Sequence, residues 1–158
     1  MDFYRSNESI RQSIQIINLE KAFDSRQGYG RVIELKESRS IRTILSNIKT
    51  LTGLEHVRLA LANHQTLDST IKTLAVGAGS GSSVFSRLGH VDVQITGELS
   101  HHAVLDAIHR GTTVILCDHT NTERGFLKVV KNDLEKVWND NQVKLVISER
   151  DRDPLEIV

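Results

Sequence analysis

From Gly28 onward, hydrophobic and polar positions follow two periods in turn, and their alternation outlines the fold. Arg31–Leu35 (RVIEL) alternates around Val32, Ile33 and Leu35, the two-residue period of a strand with one buried face. Ile41, Ile44, Leu45 and Ile48 then recur at three- and four-residue spacing, which predicts a helix capped by Ser40 and stopped by Gly53. His56–Ala62 reads as a second strand and Thr73–Val76 as a buried one that runs into glycines. The same rhythm continues with a short helix over Ser82–Leu88, a strand over Val91–Thr96 and a helix over Ser100–Arg110 ended by Gly111. Thr113–Cys117 (TVILC) is an apolar run without alternation, as expected of a strand covered on both faces. A long helix is predicted over Thr122–Trp138, with Phe126, Val129, Val130, Leu134 and Val137 on one face, then a last strand over Val143–Ile147 and a tail over Asp151–Val158. Ahead of Gly28, residues 1–27 are a poorly defined polar segment whose cluster Ile14, Ile16, Ile17 and Leu19 fits a strand or a short helix. The expected architecture is one α/β domain over 28–158, with helices packed on a mostly parallel or mixed sheet.

Composition narrows the function classes. Lys plus Arg and Asp plus Glu each number 20 in 158 residues, so no net charge draws the molecule to nucleic acid or an anionic membrane. Cys117 is the single cysteine, which excludes an internal disulfide and points to a reducing compartment. No apolar run approaches the roughly 20 residues of a membrane span, and Met1–Arg5 has no signal-peptide layout; the expectation is a cytoplasmic protein, with mitochondrial or nuclear placement left open.

Chemistry concentrates in three consecutive strand-to-helix loops. Such loops leave the C-terminal ends of strands, where sheets of this type gather ligands. The first, Gly77–Ser83, contains Gly79, Ser80, Gly81 and Ser82. It is either a tight turn that caps a helix or a cradle in which backbone amides meet an anionic substrate group, and it matches no nucleotide motif. The second, Thr96–His102, crowds Glu98, His101 and His102 at one corner, a set suited to metal ligation or proton transfer, while the structural alternative is a helix start capped by Ser100 with solvent-facing histidines. Adjacent helical residues diverge by about 100°, so at most one of these histidines faces a site. The third, Asp118–Gly125, sets His119 four positions, one helical turn, before Glu123. Imidazole plus carboxylate is an ordinary ligand pair for Zn, Mn or Fe, while the structural alternative is a helix capped by Asp118 or Thr120 with Glu123 as a surface acid.

The segments Gly28–Arg31 (GYGR), Ala75–Ser83 (AVGAGSGSS), Thr96–Ala107 (TGELSHHAVLDA), Asp118–Leu127 (DHTNTERGFL) and Ser148–Pro154 (SERDRDP) together resemble the NIF-three-like dinuclear metal proteins, also labelled GTP cyclohydrolase type two. The resemblance implies two divalent metal ions with His119 and Glu123 among their ligands, and Glu98, His101 and His102 lining the site. It implies a hydrolase of a nucleotide-like or other phosphate-bearing small molecule, with Gly79–Ser82 against the substrate. A non-catalytic scaffold that binds a transcriptional regulator is the other function it implies, and many members form a toroidal hexamer. Family members take further ligands, a His-His pair and an acid, from a first half with no counterpart upstream of Gly28. The chain therefore reads as the C-terminal half of such a protein, as a fragment, a truncated product or a short paralogue, with weak metal binding and no independent catalysis expected of it alone.

Overall fold

The computed structural model describes residues 14–18, 28–138 and 143–156. Its centre is a six-stranded mixed sheet. In chain order the strands are β1 (Ile14–Asn18), β2 (Gly30–Ser40), β3 (Arg58–Ala60), β4 (Thr70–Gly77), β5 (Val93–Thr96) and β6 (Thr113–Leu116). Across the sheet they lie in the order β1-β2-β4-β5-β6-β3. Strands β4, β5 and β6 are mutually parallel, and β1, β2 and β3 are joined to their neighbours antiparallel. The helices are α1 (Ile41–Thr52), α2 (Ser82–Phe85), α3 (His101–His109), α4 (His119–Glu123) and α5 (Leu127–Val137), the last two separated by a 3-10 turn at Arg124–Phe126.

Strand periodicity explains the layers. Ile115 and Cys117 join Ile33, Ile71, Leu74 and Val93 in one core with Ile41, Ile44 and Ile48 of α1. Val114 and Leu116, one residue out of phase, pack on the opposite face with Ala107 of α3. Thus β6 is covered on both sides, and Val114, Ile115 and Leu116 are all buried, as its unbroken apolar run predicts. A third cluster, Ala75, Phe85 and Val91, seats α2 beside β4. Cys117 belongs to the core, and burial pushes its thiol up to about 11, so little of it is thiolate near neutral pH and slow labelling of the native protein by a thiol reagent is expected.

The helix over α1 forms as its pattern requires: Ser40 Oγ accepts the Thr43 amide at 3.2 Å, and the Gly53 amide returns to Lys49 O. The residues Ile14–Asn18 resolve as strand rather than helix, antiparallel to β2 in the same sheet; Leu19 lies outside the described residues.

Three expectations are corrected. Residues 143–147 form no strand: they pair with neither β1 nor β3 at the sheet edges, and Val143 and Val146 are exposed. The helix expected over Thr122–Trp138 begins earlier, at His119, and is interrupted by the 3-10 turn containing Gly125. Its apolar face is not buried in this chain, where Phe126, Val130, Leu134 and Val137 all remain exposed. The periodicity was that of an amphipathic helix, but period alone does not say what covers it. The strand expected over His56–Ala62 shrinks to Arg58–Ala60, the only residues with partners on β6. Among the described residues no helix is long and apolar enough to cross a membrane.

Candidate functional site

Because β4, β5 and β6 run parallel, their C-terminal ends lie together and deliver the three loops to one edge. The backbone locks them there. Glu98 N–H donates to Gly79 O at 3.1 Å and Gly81 N–H to Glu98 O at 3.1 Å, a parallel bridge between Ser80 and Glu98. Thr96, fully buried, donates its hydroxyl to Gly79 O at 3.1 Å. The third loop is tied to the first by Thr122, whose hydroxyl accepts the Gly79 amide at 2.8 Å and donates to His119 O at 2.8 Å.

Two glycines make the approach feasible. At Gly97 a β-carbon would lie 2.6 Å from Gly79 O, 2.8 Å from His119 Cα and 2.9 Å from Asp118 O, all backbone atoms. Gly79, at φ +65°, faces the side chains of the third loop: a β-carbon there would sit 2.6 Å from Glu123 Oε1 and 2.9 Å from His119 Nε2.

Around this junction His119 is held between two carboxylates. Its Nδ1 is 2.8 Å from Glu98 Oε1 and its Nε2 is 3.5 Å from Glu123 Oε1, with all three side chains about half exposed. The HxxxE spacing does converge through one turn of α4. Glu98 sits behind the ring, where a carboxylate fixes the tautomer and orientation of a histidine whose other nitrogen faces a ligand. The hydrogen bond that His119 Nδ1 donates to Glu98, reinforced by the charges of Glu123, Glu98 and Asp153, raises the His119 pKa above its ordinary value of 6.5. Replacing Glu98 with Gln is expected to lower the His119 midpoint in an NMR pH titration, since a neutral amide stabilises imidazolium less than a carboxylate does. A midpoint that stays put would remove Glu98 as the main cause.

Other residues singled out from the sequence fall differently. His101 and His102 open α3, exposed, with their rings in an edge-on pair at 5.8 Å. Among the described residues no hydrogen bond joins either to the His119 cluster. In the glycine loop, the Gly79 and Gly81 amides are engaged by Thr122 and Glu98, and Ser82 is exposed at the start of the four-residue α2. Asp118 does not cap α4: its carboxylate pairs with Arg58, and its backbone stands at φ 62°, ψ 157°, a conformation costly for a residue with a β-carbon. Thr96, Thr122 and Asp153 carry much of the geometry and were not singled out from the sequence; as hydroxyls and one carboxylate among many, they gave no periodic or spacing signal.

The fit to a divalent ion can be judged from the donors. Two ligand atoms about 2.1 Å from a tetrahedral ion lie roughly 3.4 Å apart, close to the separation of His119 Nε2 and Glu123 Oε1. Among the described residues no group of three or more His, Cys, Asp or Glu side chains is arranged to hold a metal ion. His119 Nε2 and Glu123 Oε1 thus have the spacing that two of an ion's donors would need, and the described residues hold no more of a ligand set than that.

Fold and site define an α/β protein with a histidine–carboxylate cluster at the C-terminal edge of its parallel strands. The chain belongs to the Duf34/NIF3 (NGG1p interacting factor 3) family, whose model it matches over residues 4–154. It is 44% identical over 158 residues to human NIF3-like protein 1, all of this chain and 41% of the human one. To the NGG1-interacting factor 3 of Saccharomyces cerevisiae it is 39% identical over 155 residues, 96% of this chain and 53% of the yeast one. Similarity therefore reaches upstream of Gly28, and the chain spans about half the length of these relatives. Among solved structures, a Bacillus cereus protein related to NIF3 superimposes with a TM-score of 0.65 at 21% identity, covering 83% of this chain and 36% of that one, which bears on the fold alone. Reduced HcgD from Methanocaldococcus jannaschii gives a TM-score of 0.60 at 25% identity, covering 81% and 48%.

Proposed function

We propose that this chain supplies half of a divalent-metal site, with His119 and Glu123 as ligands and Glu98 as the residue that orients His119. The observation that carries this reading is the His119 geometry. Nδ1 is held by Glu98 at 2.8 Å, while Nε2 and Glu123 Oε1 are spaced at 3.5 Å, as two donors to one ion would be. Zn, Mn and Fe all accept this donor pair. The remaining ligands belong to the portion of the relatives that this chain does not span. A bound divalent ion would supply Lewis-acid activation of water or of a phosphoryl or carbonyl oxygen. In the whole protein the reaction class is metal-dependent hydrolysis of a nucleotide-like or other phosphate-bearing small molecule. The exposed His101 and His102 and the residues Gly79–Ser82 at the same edge are the candidates for proton transfer and substrate contact.

Titration calorimetry with Zn²⁺ or Mn²⁺ tests the half-site. Weak binding is expected, because two protein ligands leave most of the coordination sphere to water, and His119→Ala or Glu123→Gln should abolish it. Tight binding by this chain would mean that the ligand set is complete without further residues. Binding indifferent to His119→Ala would sink the reading altogether.

A second reading, a protein-binding scaffold, is favoured by one observation: the apolar side of the 3-10 turn and α5, including Phe126, Leu134, Val137 and Trp138, is exposed. The yeast relative is named for interacting with NGG1. A specific complex with a transcriptional regulator that survives His119→Ala, in a protein without turnover, would favour the scaffold.

A further inference from the structure

We infer that Asp153, in the C-terminal segment, is a positioning residue that holds the His119–Glu123 turn in place by capping α4 from outside the helix. The residue at the N-cap of a helix ordinarily turns its own side chain onto the amide two or three positions ahead. At α4 that position is Asp118, which makes no such bond and whose carboxylate faces Arg58 instead. One of the amides at this helix start is that of Thr120, and Asp153 Oδ2 accepts it at 3.0 Å from 33 residues further along the chain. The other carboxylate oxygen accepts the Leu155 amide at 3.1 Å, so the group is fixed on both sides.

Asp153 is 8% exposed and is the one acidic or basic side chain among the buried polar residues described. Removing a carboxylate from water is costly unless hydrogen bonds replace what is lost, and here both replacements are backbone amides. The same segment is tethered a second time. Arg124 donates from Nη2 to Ser148 O at 2.8 Å and pairs through Nη1 with Asp151. Both tethers land on the five-residue α4 and the turn that follows it. A helix this short does not hold itself, since nucleation costs more than one turn of hydrogen bonds returns. The direction in which His119 and Glu123 point is therefore set by Thr122 on the Gly79 side and by Asp153 on the other.

The functional consequence rests on the reading of His119 and Glu123 as ligands, and the test separates the two. In the 158-residue chain, Asp153→Ala, Asp153→Asn and a remote core variant, Ile44→Ala, are compared. The readouts are the ¹⁵N signals of the Thr120 amide and the His119 ring, hydrogen exchange at Thr120, and Zn²⁺ titration. Asp153→Ala should displace both signals, speed Thr120 exchange at least about tenfold and weaken Zn²⁺ binding by about ten- to a hundredfold, the range for lost outer-sphere support of a ligand. Asp153→Asn keeps one acceptor oxygen and should recover part of each effect, while Ile44→Ala should move none of them. Unmoved signals in Asp153→Ala, or equal movement in Ile44→Ala, overturn the inference, as does unchanged Zn²⁺ affinity beside displaced signals. If Asp153→Ala does not fold, Asp153→Asn is judged by the same signals and the same criteria. A native chain without His119-dependent Zn²⁺ binding overturns the half-site instead, and Asp153 then stands or falls on the Thr120 and His119 signals.

Discussion

Gly97→Ala is expected to destabilise the protein by about 3 kcal/mol, at the upper end of what overpacking a tight site costs, and to separate His119 from Glu98. The added methyl would meet Gly79 O, His119 Cα and Asp118 O, each closer than 3.0 Å. None of these is the end of a flexible side chain that could swing aside. Gly79 O is also the acceptor for both the Glu98 amide and the Thr96 hydroxyl, so retreat of the first loop breaks the bridge between the loops. Retreat of the third loop instead carries His119 away from Glu98. Urea denaturation followed by the ¹⁵N signals of the His119 ring measures both consequences. A loss below about 0.5 kcal/mol, the scatter of ordinary surface substitutions, with unmoved His119 signals would contradict this packing.

Ile115→Ala should cost as much or more, about 3–4 kcal/mol, but leave the site's internal geometry in place. Ile115 is wholly buried in β6, paired with Ile95 on one side and Leu59 on the other. Its side chain lies in the core beneath α1, where neighbouring strands hold the backbone and prevent collapse onto the cavity. Against a typical domain stability of about 5–15 kcal/mol this is a large fraction. Chemical denaturation gives the loss, and the His119 ring signals in the folded fraction should match those of the unchanged protein. A displacement as large as that from Gly97→Ala would show that the loops are held by the core rather than by their own hydrogen bonds.

Local pattern determined much of this protein. Ser40 and Gly53 bracket α1 because capping is a matter of a few adjacent atoms, legible without knowing the rest of the fold. TVILC announced a strand buried on both faces because a residue run without alternation has no solvent side. The spacing of His119 and Glu123 was sufficient to put them on one face, since residues four apart lie one turn from each other wherever the segment is held helical. Pattern also placed three polar loops after three strands, but whether they met depended on those strands being parallel neighbours.

Tertiary structure decided the remainder, and for one physical reason: these features depend on partners distant in sequence. Val143–Ile147 has the composition of a strand but pairs with neither edge of the sheet, and Val143 and Val146 stay exposed. The amphipathic pattern of α5 names an apolar face but not its cover, and here that face stays exposed. Asp118 looked like the cap of α4 by position, yet Arg58 holds its carboxylate and Asp153 caps in its stead. Glu98 sat beside two histidines in the sequence and lies instead against a third, His119, 21 positions later, because parallel strands put the ends of β5 and β6 side by side.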